Sequence, residues 1–432
     1  MNKQKLKILL IIEQCNPEMA SVPLEGYKYF QAINKLVDAT LVTHERNKTP
    51  LSNLKEYHNI TYIAESELTK KYFPMVVDRL TMKGKNNWPL ANVLGYPVYA
   101  EFNHRVYETF KDQIQRGDYD LVHVITPMQP RYPFKVIKAC AHTPVIIGPV
   151  NGGVPFPAGF EEIAKQEYAY LNFLRAVGRS LIPGYVETYK KADKILAGST
   201  YTLNMIKDMF AIPDNRIELF YENGIGSSFL TETKKITKGP KINLLFVGRL
   251  VPYKCADILI EAVSRLEPRV REKVYLTIVG DGQEKNSLEA QVRELNLVEK
   301  VKFVGWVNQE ETLEYYQQAD IFSFPSIREF GGAVVLEAMA CGLPCIVPNN
   351  GGIGEYVTEE TGFKIEPNSR EYVTQEFTNK IKILVEDDKL RESMSAKGIE
   401  RAREFEWENK ARKIVDIYEK MLREKGVGAS TH

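Results

Sequence analysis

No stretch of this 432-residue chain reaches the roughly 18 consecutive apolar residues that a membrane-spanning helix requires, so helical anchoring in a bilayer is not expected. Cysteine is scarce. Its five residues, Cys15, Cys140, Cys255, Cys341 and Cys345, are scattered, and the close pair Cys341/Cys345 has no histidine partners. That excludes a disulfide framework or a cysteine–histidine zinc site and predicts reduced, mostly buried thiols. A charge excess of either sign is also missing: 57 Lys and Arg stand against 56 Asp and Glu, a formal net charge of +1. No bulk attraction to nucleic acid follows, and no nucleic-acid partner is expected. The start, MNKQKLKILLIIEQ, has basic residues before an apolar run, but the run is short, Glu13 follows it, and no small-residue cleavage site appears. A first buried strand is expected there in place of a secretion signal, and with it a cytoplasmic protein.

The length exceeds one ordinary core and predicts two domains of roughly 200 residues each. Short apolar runs that read as strands covered on both faces recur at 7–12, 39–43, 120–125, 144–148, 194–197 and 217–220, with helical stretches between them. From Gly226 to Lys241 the composition turns to Ser, Thr, Lys, Gly and Pro, the look of a linker. The rhythm then restarts at 242–248, 274–280, 301–305, 321–325 and 344–348, and a long charged helical tail follows. The expectation is an α/β chain with two Rossmann-like, doubly wound parallel-sheet domains, 1–225 and 242–405, joined by the linker 226–241.

The stretch SIREFGGAVVLEAMACGL, Ser326 to Leu343, carries the most chemistry. Glu329 and Glu337 flank the pair Gly331-Gly332, and Glu337 lies among helix formers. A loop running into a helix start suits an anion, because glycine lets backbone approach a ligand and the helix N-terminus carries positive dipole. At the end of the strand 242–248, Gly248-Arg249-Leu250 is followed by Lys254. An arginine and a lysine from one loop suit a diphosphate; a lone pair of this kind reads rather as solvated charges, and its occurrence together with the Glu329/Glu337 stretch shifts the balance. His123 ends an apolar strand, where a core role competes with a ligand role, and Gly152-Gly153 directly follows another strand.

Taken in order, VGRLVPYK, VGDG, FVGWV, SFPSIREFGGAVVLEAMACGLPCIV and NNGGIGEYV resemble the donor half of the retaining glycosyltransferases of family 4, which have the GT-B fold. GPVNGG, DLVHVI and LAGSTYTLNMI resemble the first half of that family more loosely, and FEWENKARKIVDIYEKML resembles its last helix. The resemblance implies two domains facing across a cleft, with the terminal helix, about 406–432, crossing back to the first. It implies that Arg249 and Lys254 hold the donor diphosphate and Glu337 the ribose hydroxyls. Glu329 and the backbone of Phe330, Gly331, Gly332 and Ala333 would hold the transferred sugar. Gly152 and Gly153 would approach the diphosphate, and His123 would sit near the sugar and the acceptor hydroxyl.

Three positions depart from the family pattern: Cys255 stands where glycine is usual, Ile125 stands where a second histidine often occurs, and Glu25-Gly26 replaces a glycine pair. The implied reaction is transfer with retention from a nucleotide-diphosphate sugar to a glycan or lipid-linked acceptor, the donor phosphate taking the acceptor proton. No cofactor or metal is expected, and Asp118-Tyr119-Asp120 reads as a turn and strand start. The rivals are a sugar-nucleotide epimerase of the same fold and a non-catalytic binding subunit. The basic and aromatic segment holding Lys70, Lys71, Lys83, Lys85, Trp88 and Tyr96 is either a contact for anionic lipid headgroups or a solvated face.

Overall fold

The computed structural model describes residues 5–54, 57–81, 88–172, 178, 181–232, 234 and 241–426. The chain forms two compact units, one of Met1–Gly153, Leu171–Glu222 and Trp407–His432, the other of Val154–Tyr170 and Asn223–Glu406.

In the first unit the described strands are β1 (Lys7–Ile12), β2 (Asp38–His44), β3 (Ile60–Ile63), β4 (Leu121–Thr126), β5 (Val145–Val150), β6 (Lys194–Ala197) and β7 (Ile217–Leu219). They form one parallel sheet in the order β3-β2-β1-β4-β5-β6-β7. β4 and β5 are buried along their whole length, as continuous apolar runs in a two-sided sheet must be. One face packs on Phe102, Val106 and Phe110 of the helix Trp88–Arg116, the other on Tyr29, Phe30 and Ile33 of the helix Val22–Asn34. The terminal helix Trp407–Glu424 belongs to this second layer: Trp407, Ala411, Ile414 and Tyr418 recur at helical spacing and are buried against it. The substitution for the family's glycine pair resolves locally. Gly26 lets the Val22–Asn34 helix press onto β1, since a Cβ there would lie 2.2 Å from the Gln14 carbonyl oxygen.

The second unit holds β8 (Ile242–Val247), β9 (Val274–Val279), β10 (Val301–Gly305), β11 (Ile321–Ser323), β12 (Cys345–Pro348) and β13 (Gly362–Ile365), parallel in the order β10-β9-β8-β11-β12-β13. In each sheet one strand has its chain neighbour on one side and a later strand on the other, at β1/β4 and at β8/β11. Ligands of open α/β sheets bind outside the carboxyl ends at such switch points.

Residues 154–170 fold onto the second unit, a grouping that a boundary at 225 does not foresee. Their anchors are backbone: the Val154 carbonyl accepts from Arg328 Nε at 2.8 Å and the Pro155 carbonyl from Asn350 Nδ2 at 3.3 Å. Backbone contacts of this kind leave no composition signal. Of the linker, 233 and 235–240 lie outside the described residues, while Phe229 is buried and Thr231 N donates to the Ala340 carbonyl. β3 and β13 are edge strands with partly exposed residues, so they lack the unbroken apolar run that marks the central strands. All five cysteines are buried and unpaired. Asp120 Oδ2 accepts from the Lys7 backbone N–H at 2.7 Å, which makes it a strand-start group. Among the described residues no helix is long and apolar enough to cross a membrane.

Candidate functional site

The second unit gathers five candidate groups around its switch point. Arg249 follows β8 directly, and Lys254 closes the single turn Pro252–Lys254 in the same loop. Glu329 and Phe330 lie in the loop after β11, and Glu337 is in the helix Ala333–Ala340. Because β11 pairs with β8, two loops 75 residues apart in sequence meet. Lys254 Nζ donates directly to Glu329 Oε1, with each side chain 12% exposed. Ser326 Oγ donates to the same oxygen at 2.6 Å, and the Lys254 ammonium also lies 4.9 Å from the Phe324 ring centroid. A charge pair this withdrawn from water holds its geometry firmly, since removing one partner typically costs about 3–5 kcal/mol. Arg249 donates to the Tyr253 hydroxyl at 2.6 Å.

The Glu329 loop is itself braced by a second glycine pair. Gly351 bridges to Glu329 with φ 77°, and a Cβ there would stand 1.8 Å from the Glu329 carbonyl oxygen. Gly352 N donates to the Phe330 carbonyl at 3.0 Å. Gly332 caps the following helix with φ 83°, and Gly331 beside it is buried. Ala333 begins that helix, so the stretch 330–333 does run into a helix N-terminus.

Glu337 is 6% exposed, with Oε1 accepting from Gln309 Nε2 at 2.7 Å and Oε2 from the Tyr316 hydroxyl at 2.9 Å. Burial, and then the Glu337 charge, push the Tyr316 phenol well above its usual range, so it remains a donor. A carboxylate has about four acceptor positions, so these two bonds orient Glu337 and leave acceptor capacity.

Cys255, at the departure from glycine, has φ 51° and ψ 38°. The loop therefore keeps the left-handed turn that glycine would supply, at a cost of about 1–2 kcal/mol for a residue bearing a Cβ. The loop shape survives the substitution.

The remaining candidates lie in the first unit. Gly152 N donates to Asn151 Oδ1 at 3.0 Å and to Thr202 Oγ1 at 3.1 Å. Gly153, at φ 84°, leaves no room for a Cβ, which would sit 2.5 Å from Met205 Sδ. His123 is fully buried, with Nδ1 2.6 Å from the Tyr418 hydroxyl and Nε2 2.6 Å from the Gly148 carbonyl oxygen. Both ring nitrogens are thus committed, Nδ1 tying the terminal helix to the sheet and Nε2 tying β4 to β5, which is the core role. Burial, partly offset by the Gly148 bond, lowers its pKa to about 3.

Lys83 and Lys85 lie outside the described residues, as does the side chain of Trp88. Lys70 pairs with Glu67 at 3.1 Å, and Tyr96 stacks on Tyr132 with centroids 6.2 Å apart, so that segment is partly spent within the fold.

Some neighbours of the site were not legible in advance. Tyr253 and Ser326 lay inside quoted motifs, but their partners are set by the loop fold. Glu167, in the 154–170 segment, gave no signal. Its carboxyl is raised by burial and pulled back by the charges of Arg328 and Arg249. A cavity of about 440 Å³, lined in part by Phe160, Ile163, Leu250, Pro252 and Asp257, adjoins the same loop but includes none of Arg249, Lys254, Glu329 or Glu337.

Residues 230–401 match the family model for group 1 glycosyl transferases. A D-inositol 3-phosphate glycosyltransferase of Nocardioides sp. is 27% identical over 259 residues, covering 55% of this chain and 56% of that protein. The N-acetylgalactosamine-N,N'-diacetylbacillosaminyl-diphospho-undecaprenol 4-alpha-N-acetylgalactosaminyltransferase of Campylobacter jejuni is 31% identical over 245 residues, or 55% and 62% of the two chains. The matched part spans about half the length of the first of these curated relatives. A glycosyltransferase from Rickettsia africae superposes with a TM-score of 0.64 at 18% identity, over 98% of this chain and 100% of that one. HepE of Anabaena, solved with UDP, gives 0.62 at 17%, over 96% and 100%. The fold is that of the GT-B glycosyltransferases, and residues 230–401 carry the likeness to the group 1 glycosyl transferases.

Proposed function

We propose that the chain transfers a sugar from a nucleotide-diphosphate sugar to an acceptor hydroxyl, with retention at the anomeric carbon, in glycan, polysaccharide or glycolipid synthesis. The observation that carries this reading is the meeting of Lys254 and Glu329 at the β8/β11 switch point, with Arg249 on the same loop. The difficult part of such a reaction is the departure of a nucleoside diphosphate. Lys254 and Arg249 supply fixed positive charge for it, and preorganised charge stabilises developing negative charge without further reorganisation. Glu337 is oriented by Tyr316 and Gln309 to accept from paired ribose hydroxyls. Glu329, with the backbone of Phe330 to Ala333, holds the transferred sugar. The acceptor attacks from the face the diphosphate leaves, and a donor phosphate oxygen takes its proton, so neither a protein base nor a metal ion takes part.

The relatives point to the substrate class. Two carry names with phosphate-bearing acceptors, inositol 3-phosphate and a diphospho-undecaprenol glycan, and HepE was solved with UDP. For this chain we infer a phosphate-bearing glycan or lipid-linked acceptor and, in the lipid-linked case, peripheral contact with a membrane surface. The test is a thermal-shift screen over nucleoside diphosphates and their sugars, followed by transfer assays in EDTA with the product anomer read by NMR. A midpoint raised by one nucleoside diphosphate and a product that keeps the donor's anomeric configuration are expected. No shift with any nucleotide, or an inverted product, refutes the reading.

A further inference from the structure

The first unit has its own switch point, between β1 and β4, and the loop after β4 carries two polar groups that the fold leaves unsatisfied. Arg131 is partly buried, yet among the described residues no carboxylate lies within ion-pair distance and no oxygen accepts from its guanidinium. Burial lowers its pKa, with only Tyr132 and Tyr185 opposing. Two other arginines, the fully buried Arg391 and the partly buried Arg46, are treated differently. Arg391 pairs with Asp388 at 2.6 Å and Arg46 with Glu65. An uncompensated charge in a dry place is costly, so folds supply it with a partner or reserve it for one. Two residues earlier, Gln129 Oε1 is buried without any hydrogen-bond partner. Orphaned acceptors of this kind are few in native proteins, and a ligand donor is one way to satisfy them.

The loop is held rigidly in this state. The Tyr185 hydroxyl donates to the Pro130 carbonyl, the Tyr99 hydroxyl to the Pro133 carbonyl at 2.7 Å, and Asn103 Nδ2 to the same carbonyl at 3.0 Å. Tyr132 stacks on Tyr96 at an interplanar angle of 4° and packs on Tyr99 with centroids 4.7 Å apart, which gives the loop an aromatic wall. The Tyr132 hydroxyl feels both Arg131 and Glu13, the residue that follows β1, and burial raises the Glu13 carboxyl itself to about 7. Gly152 of the loop after β5 lies alongside, its Cβ position 3.4 Å from the Pro130 ring.

We infer that the β4 loop is an anion subsite for the acceptor: Arg131 binds a phosphate or carboxylate carried by the acceptor sugar, and Gln129 Oε1 accepts from a neighbouring hydroxyl. This rests on the chain being a glycosyltransferase. Planar, forked donors suit both anions, and a rigid backbone lowers the cost of ordering the site. The acceptor is thus an anionic sugar, and Arg131 sets its selection against neutral ones.

The experiment is calorimetric titration of the full chain, without donor, with glucose 6-phosphate, glucuronate and glucose as probes. Wild type should bind at least one anionic probe and bind glucose at least tenfold more weakly. Arg131→Gln should lose roughly tenfold or more of that affinity, a charge-assisted contact's share. Arg131→Lys should recover part of it, and Lys254→Ala should leave it unchanged. Binding of glucose 6-phosphate alone identifies a phosphorylated acceptor, and binding of glucuronate alone a uronate. On wild type, the Arg131 ¹⁵Nε resonance should move with the probe, a reading independent of whether the variants fold. No binding of either anion, equal binding by Arg131→Gln, loss in Lys254→Ala instead, or an unmoved resonance would overturn the subsite. Because no donor is present, failure of the transferase reading shows separately, in the nucleotide screen.

Discussion

Lys254 and Glu329 form a direct ion pair in the second unit, from the loop after β8 to the loop after β11. The two groups expected to serve different parts of a donor, its diphosphate and its sugar, are therefore partners of each other. Under the proposed reaction, a donor phosphate would have to share Lys254 with Glu329. Lys254→Ala and Arg249→Ala are each expected to lower kcat by roughly a hundredfold or more, since one transition-state contact to developing charge is worth about 3 kcal/mol. Steady-state kinetics with the donor found in the nucleotide screen checks this, and wild-type turnover in both variants removes the diphosphate assignment.

Glu337 offers a different signature. Its carboxylate is fixed by Gln309 and Tyr316, and the proposed ribose role gives it no contact with the bond that breaks, so its loss should appear in donor binding. Glu337→Gln is expected to raise the donor KM about tenfold with kcat within a few-fold, because the amide keeps only part of the acceptor capacity. Glu337→Ala should add a loss of stability, since the buried Tyr316 hydroxyl loses its carboxylate partner. An unchanged KM in both variants rules out the ribose role.

How much of this was legible in the sequence depended on whether a feature is local. The central strands announced themselves as unbroken apolar runs because both of their faces are covered, whereas of the four edge strands β7 and β10 were read and the short, partly exposed Ile60–Ile63 and Gly362–Ile365 were not. Helix capping is local as well: Ser199 directly precedes the helix Thr200–Phe210, and its Oγ accepts from Thr202 N at 3.2 Å. Arg249, Lys254, Glu329 and Glu337 were recognisable from motif, but the bond between Lys254 and Glu329 depends on strand order, which no single segment encodes. The same holds for His123, whose partner Tyr418 is 295 residues away, and for Arg131, whose oddity is the lack of a partner.

His123 supplies the pH prediction. In the folded chain its pKa is lowered to about 3 from an ordinary 6.5. Between those values the unfolded chain binds the proton and the folded chain does not. The stability His123 contributes is therefore complete above about pH 6.5 and is lost as pH falls toward 3, with a slope approaching about 1.4 kcal/mol per unit. Urea unfolding of wild type and His123→Asn at pH 7 and pH 5 measures it. The difference between the two proteins should shrink at pH 5, and a constant difference would contradict a neutral, buried imidazole.

Cys255 tests whether the donor loop depends on backbone shape or on side chain. At φ 51° the position is strained for any residue with a Cβ, and its thiol is buried with Sγ 3.4 Å from the Pro252 carbonyl oxygen. Glycine relieves the strain but leaves a small void, so the two effects oppose and Cys255→Gly should change stability by less than about 1.5 kcal/mol. Because the turn is preserved, Lys254 stays in register with Glu329, and the donor KM should remain within about twofold. Valine is the contrasting substitution. Its branched Cβ is an outlier in the left-handed region, so Cys255→Val should cost more than about 2 kcal/mol and disturb the Pro252–Lys254 turn, raising the donor KM together with the loss of stability. Chemical denaturation and donor kinetics on the two variants separate the cases: a valine variant as active and stable as the glycine one would show that the turn does not position Lys254.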